Sequence, residues 1–350
     1  MRHSTRAFAS LLAILPLAIT PGLLAHQADL EWRLQDSGVD VGLRGLSAVS
    51  DRVAWAVGAS GTWLRTVDGG TSWQHGQVPG AEQLGMRDIH AFGELEAAAL
   101  TIGSPGRVYR TEDGGYSWRL VFEDSRPEVF FNCMDFADAR RGYAVGDPID
   151  GRFLFIETLD GGRNWAPLSA PHRPEAAAGE AQFAASGTCL QAEGDAVWIG
   201  TGGNSARVFR SSDRGRHWAT APTPLQQGAA SKGVFGLLFW SPDEGVVVGG
   251  DYTEEDNATG SFAFTADGGA TWSTEGRTAP GGFRSAVVRS QRDGFAGLLA
   301  VGPSGTDLSL DDGRTWSRID GPGFHVVSLA PDGSVWAAGA AGRIARLARH

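Results

Sequence analysis

Six copies of one eight-residue pattern, Ser/Thr-x-Asp-x-Gly-x-x-Trp, constrain this chain more than any other feature. They run Thr66–Trp73, Thr111–Trp118, Thr158–Trp165, Ser211–Trp218, Thr265–Trp272 and Ser309–Trp316, with consecutive tryptophans 45, 47, 53, 54 and 44 residues apart. That period is the length of one four-stranded propeller blade. In each copy the aspartate (Asp68, Asp113, Asp160, Asp213, Asp267, Asp311) has a short carboxylate that accepts backbone N–H groups two or three residues on. A glycine such as Gly70 supplies the positive φ of a tight turn, and the tryptophan leads the next strand and buries its ring between blades. A catalytic site occurs once, whereas these turns occur six times, so the aspartates read as structural.

Blade one is expected over 43–78, with an inner strand Leu43–Val49, a second strand Val53–Val57, a turn at Gly58–Gly61, a third strand Thr62–Thr66 and an outer strand from Ser72. The other blades copy it, with inner strands beginning near Met86, Phe131, Ser186, Val234, Phe283 and Phe324. Helical periodicity is absent and short apolar runs broken by glycine recur throughout. The fold class is therefore all-β, a seven-bladed propeller of four-stranded antiparallel blades. The seventh blade has three strands and no Asp-turn. Leu30-Glu31-Trp32-Arg33-Leu34 reads as its missing outer strand, with Trp32 in the place of the other tryptophans, so the N-terminal strand closes the ring.

Residues 1–28 read as a signal peptide: Arg2, His3 and Arg6 precede an uncharged apolar run from Ala7 to Leu24, with small residues at Ala25 and Ala28. The expectation is an exported protein, periplasmic or secreted, with one propeller domain over 29–350. Cys133 and Cys189 fall at similar depth on adjacent inner strands, and the sequence is compatible with either a disulfide or two buried thiols. A net charge of −10 argues against nucleic-acid binding. No later stretch is long and apolar enough to span a membrane, and no spacing suited to a cofactor or metal is present. The acidic run Asp251, Glu254, Glu255, Asp256 reads as a solvated loop in preference to a calcium site.

The repeated turns are Asp-box, or BNR, repeats, shared by sialidases, other glycoside hydrolases, sortilin-type receptors and photosystem II stability/assembly factors. The phrasing of Ala56-Val57-Gly58 followed by Thr66-Val67-Asp68-Gly69-Gly70-Thr71-Ser72-Trp73 most resembles the assembly factors. Segments such as Gly146–Arg152 and Ala184–Thr188 resemble bacterial proteins described only as assembly-factor-like or, loosely, as oxidoreductases, and no dinucleotide fingerprint supports the latter name, since Gly200-Thr201-Gly202-Gly203 opens no helix. The resemblance implies a non-enzymatic helper that binds a protein partner and uses no cofactor. It does not imply photosynthesis.

Long insertions between second and third strands, at Gly146–Arg152, Thr201–Arg207 and Gly249–Gly260, group on one side of the face opposite the Asp-boxes. On that upper face the first residues of the inner strands point into the channel mouth: Arg44, Arg87, Asn132, Ser186, Phe235, Arg284 and His325. Arg44, Arg87, Arg284 and His325 form the candidate anion site, for a protein or peptide partner bearing acidic groups. Asp147, Arg152, Asp251 and Tyr252 stand around it. Pairing of these arginines with Asp88, Asp147 or Asp251, as a mere channel plug, is the bland alternative. The other functional class is a sialidase-like hydrolase, with Arg44, Arg87 and Arg284 as a carboxylate-binding triad and Tyr252 as the one tyrosine near the mouth.

Overall fold

The structure, a computed structural model, describes residues 30–183, 185–292 and 295–349. The signal-peptide expectation for 1–28 lies outside the described residues. Seven antiparallel sheets follow one another in chain order, and their inner strands pack side by side around a central channel, the last against the first. Blade one is Leu43–Ala48, Ala54–Gly58, Thr62–Thr66 and Gln74–Gln77. Its outer strand starts at Gln74, two residues later than expected, because Ser72 is held inside the box by the aspartate. Both middle strands are buried along their whole length, as strands sandwiched between neighbouring blades must be.

The strand Leu30–Gln35 pairs antiparallel with Ile344–Arg349, completing the sheet whose inner strand is Val326–Leu329. Trp32 is buried; its ring packs on Phe324 at 4.8 Å and its indole N–H donates to Thr306 Oγ1 of blade six at 3.0 Å. The ring is thus closed by the N-terminal strand.

The Asp-boxes use one bonding scheme. In the first, Thr66 Oγ1 donates to Asp68 Oδ1 at 2.9 Å and accepts the Gly70 N–H at 2.9 Å, while Asp68 accepts the Ser72 N–H at 3.0 Å and the Ser72 hydroxyl at 2.6 Å. Gly70 sits at φ 83°, where a side chain would be strained. The aspartate here reaches four residues on, and in boxes three and four it also accepts the N–H three residues on, from Arg163 at 3.0 Å and Arg216 at 3.2 Å. These bonds hold the Asp68 and Asp267 carboxyls down at about 2, led in each by the hydroxyl four residues on. The first five boxes are tied to the hairpin between their blade's first two strands, as in Gly69 N–H to Arg52 O at 2.9 Å and Gly161 N–H to Arg140 O at 2.7 Å.

In four blades a polar side chain of the inner strand ties that strand to the next blade. Ser47 Oγ accepts the Ala91 N–H at 3.0 Å, Asp135 Oδ2 accepts Ala192 N–H at 2.8 Å, Gln191 Oε1 accepts Phe239 N–H at 2.7 Å, and Ser328 Oγ accepts Ala48 N–H at 3.0 Å. These bonds satisfy backbone groups that face another blade instead of a strand partner. Burial pushes the Asp135 carboxyl up to about 7. A carboxyl raised above its unfolded value of about 3.9 stabilises the fold below that value and withdraws this contribution as pH climbs to the folded value. Asp135→Asn is therefore expected to gain stability relative to wild type as pH rises from 4 to 7, reaching on the order of 2–4 kcal/mol. Thermal melts across this range test it; a pH-independent difference between the two proteins would count against a raised Asp135.

Blade six's inner strand starts at Ala286 rather than near Phe283, and blades four and five depart further from the expected copy. Blade four's inner strand begins at Leu190 rather than near Ser186, because the residues ahead of it cross the channel. Blade five has no regular outer strand after Phe262–Thr265, only a bridge between Phe264 and Ser273. On its inner side the blade gains two short strands, Gly202–Gly203 bonded to Ala229–Phe239 and, beyond it, Glu180–Ala181 bonded to Gly202–Gly203. Cys133 and Cys189 form a disulfide that links blades three and four, which settles the alternative left open by the sequence. Among the described residues no helix is long and apolar enough to cross a membrane.

Candidate functional site

The register of the inner strands aims the mouth residues. In blades one, two, three and five the pairing of the first two strands skips one residue, at Arg44, Arg87, Asn132 and Phe235. A bulge of this kind leaves its extra residue unpaired and re-aims its side chain. Equal sequence positions thus become equal positions around one opening.

The floor of the opening is the segment that precedes blade four. Ser186 Oγ donates to Ser285 O, across the channel in blade six, at 2.7 Å, and Thr188 Oγ1 reaches the same carbonyl at 3.3 Å. A Cβ on Gly187 would stand 2.4 Å from the Asp88 carboxyl carbon, so this crossing point admits only glycine. Below the floor lies a cavity of about 610 Å3, reaching Ser47, Asp135 and Gln191. Above it, Arg44 Nη1 lies 3.5 Å from Ala185 O.

Arg44 and Arg87 stand together and no carboxylate answers them. Neither forms an ion pair among the described residues, and Arg87 Nε is buried without a hydrogen-bond partner. Burial, together with the charge of Arg44, pulls Arg87 down to about 10, and burial lowers Arg44 as well; Arg87 still carries its proton at neutral pH. The acids expected to pair with them are engaged elsewhere. Asp88 is buried, its pKa raised by desolvation, and it accepts the Met134 and Ile89 N–H groups at 2.7 and 2.8 Å. Asp147 accepts from Asn132 Nδ2 and the Gln182 N–H, each at 3.0 Å. Asp251 accepts the Thr253 N–H and hydroxyl, with Lys232 3.7 Å away.

His325 stands beside these two arginines, as expected. Its Nδ1 lies 3.1 Å from Leu43 O, and burial with the nearby charges of Arg44, Arg87 and Arg343 lowers it to about 4, so it is neutral at pH 7. It shapes the site without adding charge.

Arg284 does not join them. It lies ahead of its strand, which starts at Ala286, and it is fully buried within blade six. Its Nε donates to Asp307 Oδ2 at 2.6 Å, its Nη2 pairs with the same carboxylate, and Nη1 donates to Phe283 O at 2.7 Å and Ser304 Oγ at 3.1 Å. The expected three-arginine site is therefore two arginines plus a structural ion pair. The missed signal is Asp307 itself. Two residues before the box Ser/Thr the other blades carry Leu64, Tyr109, Ile156, Phe209 and Ala263, and only blade six has an acid there. Arg152 also turns from the mouth, donating to Arg173 O at 2.9 Å and pairing with Glu175.

Opposite the arginines the mouth is aromatic. Phe235, the bulge residue of blade five, stacks on Phe183 at 3.9 Å and meets Phe283 edge-on at 4.6 Å; Ala185 completes this cluster. Tyr252 stands edge-on to Phe235 at 6.0 Å and is 48% exposed. The Phe183–Phe235–Phe283 trio escaped sequence reasoning because Phe183 lies outside any strand.

Residues 24–128, which take in the closing strand and blades one and two, match the family model described as photosynthesis system II assembly factor YCF48. The chain is a seven-bladed Asp-box propeller whose first two blades are similar to that family. No curated protein matches it in sequence. Among solved structures it is similar to YCF48 bound to a D1 peptide, at 16% identity and a TM-score of 0.55, covering 90% of this chain and 94% of that one. U3-55K matches at 11% identity and a TM-score of 0.61, over 92% of this chain and 98% of that one. A GH74 enzyme of Niastella koreensis matches at 13% identity and a TM-score of 0.56, over 88% of this propeller but 43% of the enzyme. At such identities the structural likeness speaks for the fold alone, and binders and enzymes share it.

Proposed function

We propose that this propeller is an exported, non-enzymatic scaffold that holds an acidic segment of a protein partner in the upper mouth of its channel, in the manner of an assembly or stability factor. The observation that carries this reading is the Arg44–Arg87 pair, two part-buried guanidinium groups that no carboxylate answers among the described residues. Clustered buried cations are costly unless an anion compensates them, and guanidinium forks suit carboxylates. The matched family model and the peptide-bound propeller of similar fold support a polypeptide ligand. The Cys133–Cys189 disulfide supports an oxidising compartment, in line with the apolar leader. Against a sialidase-type reaction, Arg284, the expected third arginine of a carboxylate-binding triad, is committed to Asp307.

The test is fluorescence anisotropy with a labelled, end-blocked hexapeptide carrying two aspartates, at low salt. Wild type is expected to bind it, and Arg44→Ala/Arg87→Ala to bind at least tenfold more weakly with an unchanged melting temperature. Equal binding by the folded double variant would remove the reading. Turnover of a fluorogenic sialoside by wild type would overturn its non-enzymatic part.

A further inference from the structure

The mouth has two chemically different halves, and the reading above uses only one. Blades one, two and seven present Arg44, Arg87 and His325, whereas blades four to six present Phe183, Phe235, Phe283 and Tyr252. The halves meet at Ala185. Its carbonyl lies 3.5 Å from Arg44 Nη1, and its side chain packs into the phenylalanine cluster. Phe183 and Phe235 are consumed by stacking on each other, so they form a rigid buried base. Tyr252 is different: edge-on to Phe235 and 48% exposed, it is the one ring of this group that offers a face to a ligand. Its backbone is fixed by the Tyr252 N–H to Ser231 O bond at 3.3 Å, and the preceding Asp251 caps the loop through Thr253. An aromatic held on a rigid base at the edge of a charged pocket is the arrangement expected of a binding anchor.

Resting on the reading of the arginines as a carboxylate site, we propose that the mouth recognises a two-part determinant: an acidic side chain at Arg44 and Arg87, and an aromatic or bulky aliphatic side chain of the same peptide on Tyr252. Tyr252 stands on Phe235, which stacks on Phe183 in the same cluster as Ala185, so one continuous packed surface joins the two halves. The ligand is thus a peptide that carries its acid and its large apolar residue within a few positions of each other. The floor at 185–188 stops it from threading the channel. Charge complementarity fixes which end of the determinant lies at which half. Tyr252 then supplies discrimination among acidic segments that the arginines alone would hold equally well.

The experiment uses the whole chain and three labelled, end-blocked hexapeptides: one with aspartate and phenylalanine three residues apart, one with that phenylalanine replaced by serine, and one with the aspartate replaced by asparagine. Wild type is expected to bind the first about tenfold more tightly than the second. Tyr252→Ala should erase that difference while leaving the affinity for the serine peptide unchanged. Arg44→Ala/Arg87→Ala should weaken both aspartate peptides alike. If wild type binds the phenylalanine and serine peptides equally, or if Tyr252→Ala preserves the preference, the two-part determinant is wrong while the carboxylate site stands. Binding that survives replacement of the aspartate by asparagine, or the absence of binding by any peptide, overturns the carboxylate site and this inference with it.

Discussion

A chain that starts at Ser37, without the strand Leu30–Gln35, is expected to lose cooperative folding or to melt far below the parent. Removing this strand strips Trp32 and Leu30 from the core shared by blades six and seven, where they pack with Phe324, Leu299, Val301 and Leu308. Loss of a buried tryptophan alone costs about 3–5 kcal/mol, against a total stability of roughly 5–15 kcal/mol for a domain. Further costs follow from the ladder. Every residue from Leu30 to Gln35 has a partner in Ile344–Arg349, and without it that strand becomes an open edge. Gln35 adds a link to blade one, its side chain donating to Gly69 O at 3.0 Å and accepting from Trp73 Nε1 at 3.1 Å. The deletion therefore loosens both joints of blade seven. Circular dichroism melts of the two chains decide the matter, with Trp32→Ala as the intermediate case; an unchanged midpoint for the truncated chain would mean that the ring is closed by other contacts.

The features legible in the sequence were those that repeat. Six boxes of one composition give the blade period, and the seventh blade's missing turn points to Trp32 as the closing tryptophan. The residues facing the mouth were also legible by position, because a bulge at the same place in several inner strands carries sequence alignment into spatial equivalence at Arg44, Arg87, Asn132 and Phe235. What stayed hidden is what happens once. The crossing of the channel by 185–188 depends on Ser186 finding Ser285 O and on Gly187 passing the Asp88 carboxyl, contacts with no period to reveal them. Position likewise misled at Arg284. The repeat alignment gives it the place of Arg44 and Arg87, yet it lies ahead of its strand with no bulge to aim it at the mouth, and a carboxylate inside its own blade takes the guanidinium. The straps from Ser47, Asp135, Gln191 and Ser328 fall between these cases: their place repeats while the residue type does not.

Arg284→Ala is expected to lower stability by about 3–5 kcal/mol, the cost of leaving one member of a buried ion pair without its partner. Asp307 would keep the Gly281 N–H at 3.1 Å but lose the guanidinium, in a site where both side chains are almost entirely buried. Ser304 and the Phe283 carbonyl would lose their donors too. The same residues hold the segment that leads into blade six, so strain spreads to the inner strand and to Ser285, which takes the Ser186 hydroxyl of the channel floor and donates to His325 O. A second variant separates the charge from the volume. Because replacing both members of a buried pair by apolar residues is often neutral or stabilising, Arg284→Met/Asp307→Leu should recover much of what Arg284→Ala loses. Leucine is already tolerated at the matching place of blade one, Leu64. Urea denaturation gives both differences, and peptide anisotropy on the folded variants completes the comparison. Arg284→Ala with parental stability and lost peptide binding would place this guanidinium in the ligand site after all. Lowered stability with retained binding is the expected result, since the open side of the mouth is held by Arg44 and Arg87 and Arg284 faces Asp307.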